Sequence, residues 1–474
     1  MIDPMDNNPT PPAVDQSLRF DPDLLRKYDV RGPRYTSYPT APQFSETLGE
    51  TASRAVAERA GAGEAPISLY VHIPFCRTVC FYCGCNKVIT ANYRRADDYL
   101  GRLEREMAMQ AQWFGRRKVT QLHFGGGTPT YLNEADLVRV MDGLRRYFRL
   151  SENASREFSI EIDPRTVSPD KIRLLGELGF NRMSLGVQDF DPEVQRAVNR
   201  IQSVEQTRDA IEAGRAAGFH STNVDLIYGL PRQDLASFER TLDVVVGLGQ
   251  ERLAVYSYAH LPDMFKVQRQ IRAEDLPGAD LKLALLELTI DRLTEAGYVY
   301  IGMDHFALPD DELAAAQREG TLQRNFQGYS TQAELDLVAL GVSGISLVDG
   351  AYAQNARQLD RYAERIDAGR LAVEKGVRLT AEDRLRRDLI QQLMCQGRID
   401  FASLEGRHGI DFASHFAGEL ERLAPMASDG LLDLGPSGLT VSPRGRLLLR
   451  NIAMVFDAYL QPAAPGATRA PSEP

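Results

Sequence analysis

The sequence predicts an α/β protein: a partial (β/α)6 barrel with an N-terminal strap and a smaller, mostly helical, winged-helix-like C-terminal domain. Between residues 67 and 258, six short apolar runs rich in β-branched and aromatic residues alternate with amphipathic helical patterns. Repeated β–α units of about 30 residues form a parallel sheet with right-handed crossovers. Residues 429–452 indicate a β-hairpin followed by a helix, as in winged-helix modules.

The individual elements follow from local composition. The predicted strands are 67–73, 118–124, 156–162, 182–187, 221–229 and 251–258. The predicted helices are 96–110, 133–148, 168–179 and 234–249, and Asn133 and Ser168 are the expected N-caps of two of them. A helix over 280–296, a strand over 298–304 and a loop-rich stretch through 350 extend this core.

Composition shifts divide the chain into five parts. The two ends are polar and rich in proline or alanine, so we predict that they are disordered. The predicted parts are a disordered start (1–17), an N-terminal strap (18–66), the barrel with its extension (67–370), a mostly helical C-terminal domain (371–460) and a disordered tail (461–474).

Charge and hydropathy exclude several classes of protein. The chain has 474 residues, 43% hydrophobic and 25% charged, which is typical of a soluble globular protein. Its net charge of −10 argues against nucleic acid or an anionic membrane surface as a partner. No run approaches the roughly 18–20 apolar residues that span a bilayer, and the N-terminus lacks the pattern of a signal peptide. We therefore expect a cytoplasmic protein.

Four of the five cysteines lie within ten residues. Cys76, Cys80 and Cys83 have the spacing C-x3-C-x2-C, and Cys85 follows. Disulfides are not expected in a chain without a secretion signal, whereas thiolates suit iron–sulfur clusters. Three cysteines on a four-iron cubane leave one iron open to another ligand, which predicts a reaction centre. A structural zinc site that uses the four cysteines, or takes His72 as a ligand, is the alternative.

Further candidate residues follow the predicted strands, where parallel barrels place their sites. Three consecutive glycines (125–127) let the backbone approach a ligand closely, or simply form a tight turn. Glu161 and Asp163 share one strand face, so they either bind a ligand or form surface ion pairs. Gln188 ends the fourth predicted strand, and Asp225 lies within the fifth. Each is either a site residue or a buried polar residue whose hydrogen bonds are satisfied within the core.

Basic and aromatic residues supply a second set of candidates. Arg200 is suited to bind a carboxylate bidentately, although surface arginines are common. His260 is a candidate hydrogen-bond anchor or a structural histidine. The segment 28–44 is rich in Arg, Tyr and Pro; its Arg31 and Arg34 are expected to receive substrate carboxylates, unless the segment only straps the N-terminus down.

The cysteine spacing followed by GGGTP on the next strand resembles the radical S-adenosylmethionine (SAM) enzymes. More specifically, the motifs RGPRYTSYPTAPQF, LYVHIPFC, CGCNK, HFGGGTPTYL, IEIDPR, GVQDF, VNRIQ, YGLP, YAHLP and RNFQGYST resemble those of the oxygen-independent coproporphyrinogen III oxidases. The motifs span roughly residues 28–350, and together they are far more specific than any one of them.

This resemblance implies a radical-SAM barrel with a 4Fe–4S cluster and two molecules of SAM. It implies cluster ligation by Cys76, Cys80 and Cys83, with Cys85 required for activity without ligating the cluster. Contacts to the SAM on the cluster are implied for Tyr70, Gly126, Glu161 and Ile345. Tyr70, like Cys85, is also implied to be catalytic. A second SAM site is implied for Tyr82, Gly127, Thr128, Gln188, Arg200, Asp225 and Ala259.

The implied reaction is oxidative decarboxylation of two propionates of coproporphyrinogen III to vinyl groups, giving protoporphyrinogen IX. An electron donor and an acceptor are required, and the sequence identifies neither. A monomer is expected. The rival interpretations are a haem chaperone or an anaerobic haem-degrading relative, which Cys85 and the strap disfavour, and a non-enzymatic zinc or iron–sulfur scaffold.

Overall fold

The computed structural model describes residues 17–28, 30, 32–332 and 335–460. Arg31 and most of the two predicted disordered ends lie outside the described residues. No helix in the described part of the chain combines the length and the apolar character needed to cross a membrane.

The strands are numbered in chain order. The strands of the first half are β1 Ile67–Ile73, β2 Phe75–Cys76, β3 Val88–Ile89, β4 Lys118–Gly126, β5 Arg149–Leu150, β6 Glu157–Ile162, β7 Arg182–Gln188, β8 Ser221–Tyr228 and β9 Arg252–Ser257. The later strands are β10 Val299–Gly302, β11 His305–Ala307, β12 Gln323–Asn325, β13 Gly328–Ser330, β14 Asp336–Leu340, β15 Ile345–Val348, β16 Ala351–Asn355, β17 Val373–Arg378, β18 Arg398–Asp400, β19 Leu432–Leu434 and β20 Gly438–Val441.

The α-helices are numbered in the same way. Those before the C-terminal region are α1 Pro22–Tyr28, α2 Glu50–Gly61, α3 Arg94–Phe114, α4 Glu134–Tyr147, α5 Pro169–Glu177, α6 Pro192–Ala197, α7 Val204–Ala216, α8 Leu235–Leu248, α9 Ala279–Glu295, α10 Glu312–Glu319 and α11 Leu359–Asp367. The remaining helices are α12 Ala381–Gln396, α13 Phe401–His408, α14 Phe412–His415, α15 Ala417–Ser428 and α16 Leu449–Met454.

One large sheet forms the centre of the protein. Its strand order is β10-β11-β9-β8-β7-β6-β4-β1-β14-β15-β16-β17. The six strands predicted from sequence are all present and pair in parallel in chain order, so the predicted α/β fold is confirmed. A seventh parallel strand, β14, pairs with the other edge of β1.

Alternation along the strands separates an apolar outer face from a polar inner face. In β1, Leu69 and Val71 are fully buried on the outer face, where they join the core beneath the helices. Ser68, Tyr70 and His72 lie on the opposite face, which we call the inner face. The inner face of the central strands therefore carries polar groups, whereas a face that only packed in an apolar core would not require them.

Local capping explains where the crossover helices begin. The Asn133 side chain accepts a hydrogen bond from Asp136 N at 2.8 Å, and the Ser168 hydroxyl accepts one from Lys171 N at 3.2 Å. Both side chains satisfy an amide that has no partner inside its helix. The two N-caps expected from sequence are thus confirmed.

The stretch after β9 contains more strand than the sequence suggested. The predicted strand over 298–304 divides into β10 and β11, which pair antiparallel. The expected loop-rich region holds the β12–β13 hairpin and the strands β14 and β15. β15 pairs antiparallel with β14 and with β16, which begins at Ala351. Strand β17 pairs with β16, so residues 373–378 extend the main sheet.

The C-terminal region has a core of its own. Helices α12–α16 surround the small sheet β18-β20-β19, which includes the predicted hairpin. Tyr35 and Tyr38 of the strap are buried in this core. Further along, Phe44 stacks on Tyr352 of β16 at 5.4 Å. The strap therefore joins the C-terminal domain to the main sheet across the open side of the barrel.

Candidate active site

The cysteine loop leaves the sheet at the carboxyl end of β1. Strand β2, which ends at Cys76, pairs with β3 and holds the two ends of the loop together. Cys76 Sγ lies 3.3 Å from the hydroxyl of Thr128, which follows the glycines of β4. Burial raises the pKa of Cys76 to about 11. The first predicted cluster ligand thus lies against the glycine-rich turn.

Two arginines lie beside the second cysteine. Arg165 Nη2 is 3.7 Å and Arg200 Nη1 is 3.6 Å from Cys80 Sγ. Both arginines also pair with Asp163, at 2.6 Å and 3.3 Å. Burial would raise the pKa of Asp163, but the two guanidinium groups lower it overall. Cys80 therefore lies next to two guanidinium groups and the carboxylate that pairs with them.

The third and fourth cysteines interact with each other. Cys85 N donates to Cys83 Sγ at 3.5 Å, and Lys87 Nζ donates to Cys83 O at 2.9 Å. The hydrogen bond from Cys85 and the charge of Lys87 lower the pKa of Cys83 to about 6, although burial opposes this. Cys85 itself is exposed.

The glycines of β4 let two backbone segments approach each other. A Cβ on Gly127 would lie 2.5 Å from Pro74 O, and Gly127 N donates to Ile73 O at 2.9 Å. Gly126 has φ +119°, and a Cβ there would meet the His72 ring at 2.8 Å. Any side chain at these positions would displace the start of the cysteine loop.

Tyr70, His123 and Glu161 form one connected group on the inner face. The rings of Tyr70 and His123 stack at 5.8 Å with 12° between their planes. Glu161 accepts hydrogen bonds from Gly126 N at 3.2 Å and contacts His123 Nε2 at 3.3 Å. Burial would raise the pKa of Glu161, but these neighbours lower it overall. The carboxylate is ionised and 45% exposed into the barrel, so it is available to a ligand.

Ile345 lies on the same level of the sheet. Tyr70 pairs with Ala339 of β14, and the antiparallel register of Leu337 with Leu347 places Ile345 beside Ala339. Three of the residues predicted to contact the first SAM, together with Gly126, thus border one space on the inner face.

The residues predicted for a second SAM border the adjacent part of the barrel mouth. Asp225 accepts hydrogen bonds from Ser184 at 3.0 Å and Asn223 at 2.8 Å. Burial raises the pKa of Asp225 to about 6, against the effect of these hydrogen bonds. Gln188 ends β7 with φ +72°, and Arg200 donates to the carbonyl of Gly186 on the same strand.

Gln268 is a residue that the sequence prediction missed. Its Nε2 donates to Tyr82 O at 2.9 Å and to Ala259 O at 3.3 Å, so it joins two predicted SAM contacts that are distant in sequence. His123 was also missed, although its alternation with Gly125 already placed it on the face that carries the site. The candidate His260 hydrogen-bonds Tyr258 at 3.0 Å.

Arg34 reaches the inner side of the sheet from the strap. It forms an ion pair with Asp304, and its guanidinium lies 5.1 Å from the centre of the Tyr256 ring. Tyr256 and Asp225 belong to the neighbouring strands β9 and β8. The strap arginine therefore lies beside the group predicted to hold the second SAM.

Comparison with known proteins shows which family combines this cysteine loop with this parallel sheet. The Radical SAM superfamily profile matches residues 70–245, and the HemN C-terminal domain profile matches residues 379–448. The chain is 51% identical over 446 residues to the oxygen-independent coproporphyrinogen III oxidase of Pseudomonas aeruginosa, covering 94% of this chain and 97% of that protein. The Escherichia coli K12 enzyme is 51% identical over 449 residues, covering 95% and 97%.

The solved structure of E. coli coproporphyrinogen III oxidase (HemN), described as a radical SAM enzyme, matches with a TM-score of 0.89 and 50% identity, covering 94% of this chain and all of that one. The chain belongs to the oxygen-independent coproporphyrinogen III oxidase family. As in that family, its cofactors are a 4Fe–4S cluster and SAM.

The cysteine loop fits the cluster of a coproporphyrinogen III oxidase. Thr128, Arg165, Arg200 and Lys87 surround the three sulfurs with hydroxyl, guanidinium and ammonium groups. These groups stabilise the negative charge of thiolate ligands. Within the described ranges, no three His, Cys, Asp or Glu side chains are arranged to hold a single metal ion.

Proposed function

We propose that this chain catalyses the oxygen-independent oxidative decarboxylation of two propionate side chains of coproporphyrinogen III to vinyl groups, giving protoporphyrinogen IX. The observation that supports this most strongly is the match to enzymes of that name over 94–95% of the chain. The polar inner face beside the cysteine loop supplies the space for cofactor and substrate.

The cofactors supply the chemistry that side chains lack. With the cluster and SAM bound, the site provides a 5′-deoxyadenosyl radical that abstracts a hydrogen atom from the β-carbon of a propionate. Loss of CO2 from each propionate then leaves a vinyl group and passes one further electron to an acceptor.

We assign the protein's part in this reaction to positioning. Cys76, Cys80 and Cys83 hold the cluster, while Tyr70, Gly126, Glu161 and Ile345 hold the SAM bound to it. Glu161 is suited to this because its ionised carboxylate points into the barrel beside the Gly126 amide.

A second SAM is assigned to the space bordered by the neighbouring strands. Its proposed contacts are Tyr82, Gly127, Thr128, Gln188, Arg200, Asp225 and Ala259. Gln268 supports this assignment because it fixes the Tyr82 and Ala259 carbonyls relative to each other.

The strap and the C-terminal domain complete the proposed site. We propose the division into strap (18–66), barrel (67–370) and C-terminal domain (371–460), with the correction that β17 (Val373–Arg378) belongs to the main sheet. Arg34 of the strap is proposed to face the substrate. We further propose that the protein acts as a cytoplasmic monomer and needs neither nucleic acid nor a membrane.

Anaerobic turnover tests the function directly. Protein reconstituted with iron and sulfide receives coproporphyrinogen III, SAM, a reductant and cell extract as the source of acceptor. Protoporphyrinogen IX and 5′-deoxyadenosine are expected to form together. SAM cleavage or haem binding without decarboxylation would instead support a haem-handling relative.

The variant Cys85→Ser tests the proposed role of the fourth cysteine. It should keep the wild-type iron content and lose protoporphyrinogen formation, because Cys85 is exposed beside the cluster ligands without being one. Loss of iron from this variant would show that Cys85 ligates the cluster.

A further inference from the structure

His123 lies between two residues that are assigned to the first SAM. It is on β4, where it is directly opposite Tyr70 of β1 and Ser159 of β6 in the register of the sheet. These side chains point to the inner face, and Glu161 follows Ser159 by two residues on that face. One histidine therefore adjoins proposed SAM contacts that come from two different strands.

The histidine holds one side of the Glu161 carboxylate. His123 Nε2 lies 3.3 Å from Glu161 Oε1, and Gly126 N donates to Glu161 Oε2 at 3.2 Å. A Cβ at Gly125 would lie 2.9 Å from Oε1, so the carboxylate rests against bare backbone. Each oxygen thus has one fixed donor, while 45% of the side chain stays exposed in the barrel. The lone pairs that remain are available to a ligand.

Ser159 is placed to fix the proton of the His123 ring. Its hydroxyl lies 2.6 Å from His123 Nδ1, whereas its contact with Leu122 O is longer, at 3.4 Å. When the hydroxyl donates to Nδ1, the single proton of a neutral imidazole is on Nε2, where it faces Glu161. His123 then supplies a hydrogen-bond donor without a positive charge, so the carboxylate keeps its full negative charge for a ligand.

The same ring also fixes the position of Tyr70. The two rings stack with 5.8 Å between their centres and 12° between their planes. The Tyr70 hydroxyl lies 3.0 Å from His72 Nδ1, and His72 Nε2 lies 3.0 Å from Asn86 O, directly after the cysteine loop. Tyr70 is therefore held at its hydroxyl by His72 and on a ring face by His123.

We infer that His123 is a positioning residue for the SAM on the cluster, because it holds the Glu161 carboxylate and the Tyr70 ring in the arrangement that receives this cofactor. The inference deepens the proposed function and rests on its assignment of Tyr70 and Glu161 to that SAM. It gives His123 no contact of its own with the cofactor, since only 13% of the His123 side chain is exposed.

Three substitutions of His123 separate its contacts. The glutamine amide nitrogen is as many bonds from Cβ as histidine Nε2, so His123→Gln keeps a donor toward Glu161. The asparagine amide reaches only as far as Nδ1, so His123→Asn loses that donor. His123→Phe keeps an aromatic ring against Tyr70 and has no donor at all. A role in positioning Glu161 therefore predicts that the glutamine variant alone resembles the wild type.

The measurement is the affinity of the reduced holoenzyme for SAM, followed through the electron paramagnetic resonance signal of the cluster. This signal responds to the SAM at the cluster rather than to the one proposed for the second site. His123→Asn and His123→Phe should each weaken SAM binding roughly 10-fold, as expected when a charged group loses a hydrogen bond. His123→Gln should stay within about threefold of the wild type. Iron content should match the wild type in all three.

His408→Asn is the matched control. His408 Nε2 pairs with Asp388 at 2.9 Å in the C-terminal domain, and the two side chains are 19% and 17% exposed. The substitution removes a histidine–carboxylate contact of the same kind outside the main sheet, so the affinity for SAM should equal that of the wild type. Glu161→Gln is the reference for the carboxylate itself and should weaken SAM binding at least as much as His123→Asn does.

The outcomes separate the inference from the proposed function. If Glu161→Gln weakens SAM binding while His123→Asn or His123→Phe binds SAM as the wild type does, the role of His123 is overturned alone. An equal loss of affinity in all three His123 variants would also overturn it. So would loss of the cluster from His123→Gln or from both other variants, because His123 would then act through the stability of the site.

Wild-type affinity in Glu161→Gln would overturn the assignment of Glu161 to SAM in the proposed function, and the inference with it. If only one of His123→Asn and His123→Phe loses its cluster, the comparison of the other with His123→Gln decides the matter.

Discussion

Arg200 and Asp163 form an ion pair next to Cys80, a proposed cluster ligand: Arg200 Nη1 lies 3.3 Å from Asp163 Oδ2 and 3.6 Å from Cys80 Sγ. The same guanidinium donates to the carbonyl of Gly186 on β7. One side chain therefore connects the cysteine loop with the strand ends that border the proposed second SAM site.

Arg200→Met is expected to reduce the number of SAM molecules bound per chain from two to one. The methionine cannot pair with Asp163 or donate to β7, so the wall of the second site loses its fixed charge. Equilibrium dialysis with labelled SAM measures this ratio. Arg165→Met is the control because it also removes a partner of Asp163, and it should still bind two molecules of SAM per chain. A wild-type protein that binds only one molecule of SAM would contradict the proposal.

Serine at any one of the three proposed cluster ligands should lower iron and sulfide content well below that of the wild type, because the proposed thiolate ligand is removed. The variants are Cys76→Ser, Cys80→Ser and Cys83→Ser. Cys395→Ser makes the same chemical change at a buried cysteine far along the chain and should keep the cluster. Iron and sulfide analysis after anaerobic reconstitution gives the comparison. Full iron content in any of the first three variants would exclude that cysteine as a ligand.

Gly127→Ala should lower the unfolding free energy by about 1–3 kcal/mol and reduce iron content, because the new Cβ would lie 2.5 Å from Pro74 O. Urea unfolding and iron analysis measure the two effects. Gly406→Ala in α13 meets no atom within 4 Å and should be neutral or stabilising by up to about 1 kcal/mol. Equal effects of the two substitutions would disprove the steric argument.

Asp189 should make stability depend on pH in the acid range. Burial raises the pKa of Asp189 to about 6, against about 3.9 for an unfolded aspartate. The folded state therefore binds the proton more tightly, and this stabilisation is complete below about pH 4 and disappears as the pH rises through about 6.

Asp189→Asn isolates this contribution, since asparagine stays neutral. The unfolding free energy of the wild type minus that of the variant should fall by up to about 3 kcal/mol between about pH 4 and 7. Urea titrations at a series of pH values give the difference. A difference that does not change with pH would show that the Asp189 pKa is not raised.

Tyr35→Phe should destabilise the attachment of the strap by about 1–3 kcal/mol, because buried Asp457 loses a hydrogen bond of 2.9 Å. Tyr28→Phe removes a hydrogen bond to Asp429, a carboxylate that is less enclosed, and should cost less. Limited proteolysis within residues 32–48 and urea unfolding compare the variants. Faster cleavage in Tyr28→Phe than in Tyr35→Phe would reverse the expected order.

Six of the parallel strands, β1, β4 and β6–β9, could be predicted from sequence to within two residues. Each has an apolar outer face, and several end at glycine or a polar residue, so local composition carries the information. The six strands β12–β17 were missed because they are only three to six residues long, and several of them, such as β12 and β17, are largely polar. Their pairing partners, which are distant in sequence, decide that they form strands.

The candidate site shows the same limit. The cysteine spacing and the strand-end residues indicated the cofactors, because their chemistry depends on residue type and local spacing. His123 stood inside a recognised motif, but its role depends on where Ser159 and Glu161 lie. Gln268 is likewise informative only after folding brings Tyr82 and Ala259 together.

The attachment of Tyr35 to Asp457 also sets an order for biogenesis. The two residues are separated by 422 positions, so Tyr35 cannot dock until Asp457 has left the ribosome. The β–α units are translated earlier and can fold N-terminal first. The strands β1 to β9 are therefore synthesised before the residue that fixes Tyr35, so they can fold while this end of the strap is still undocked.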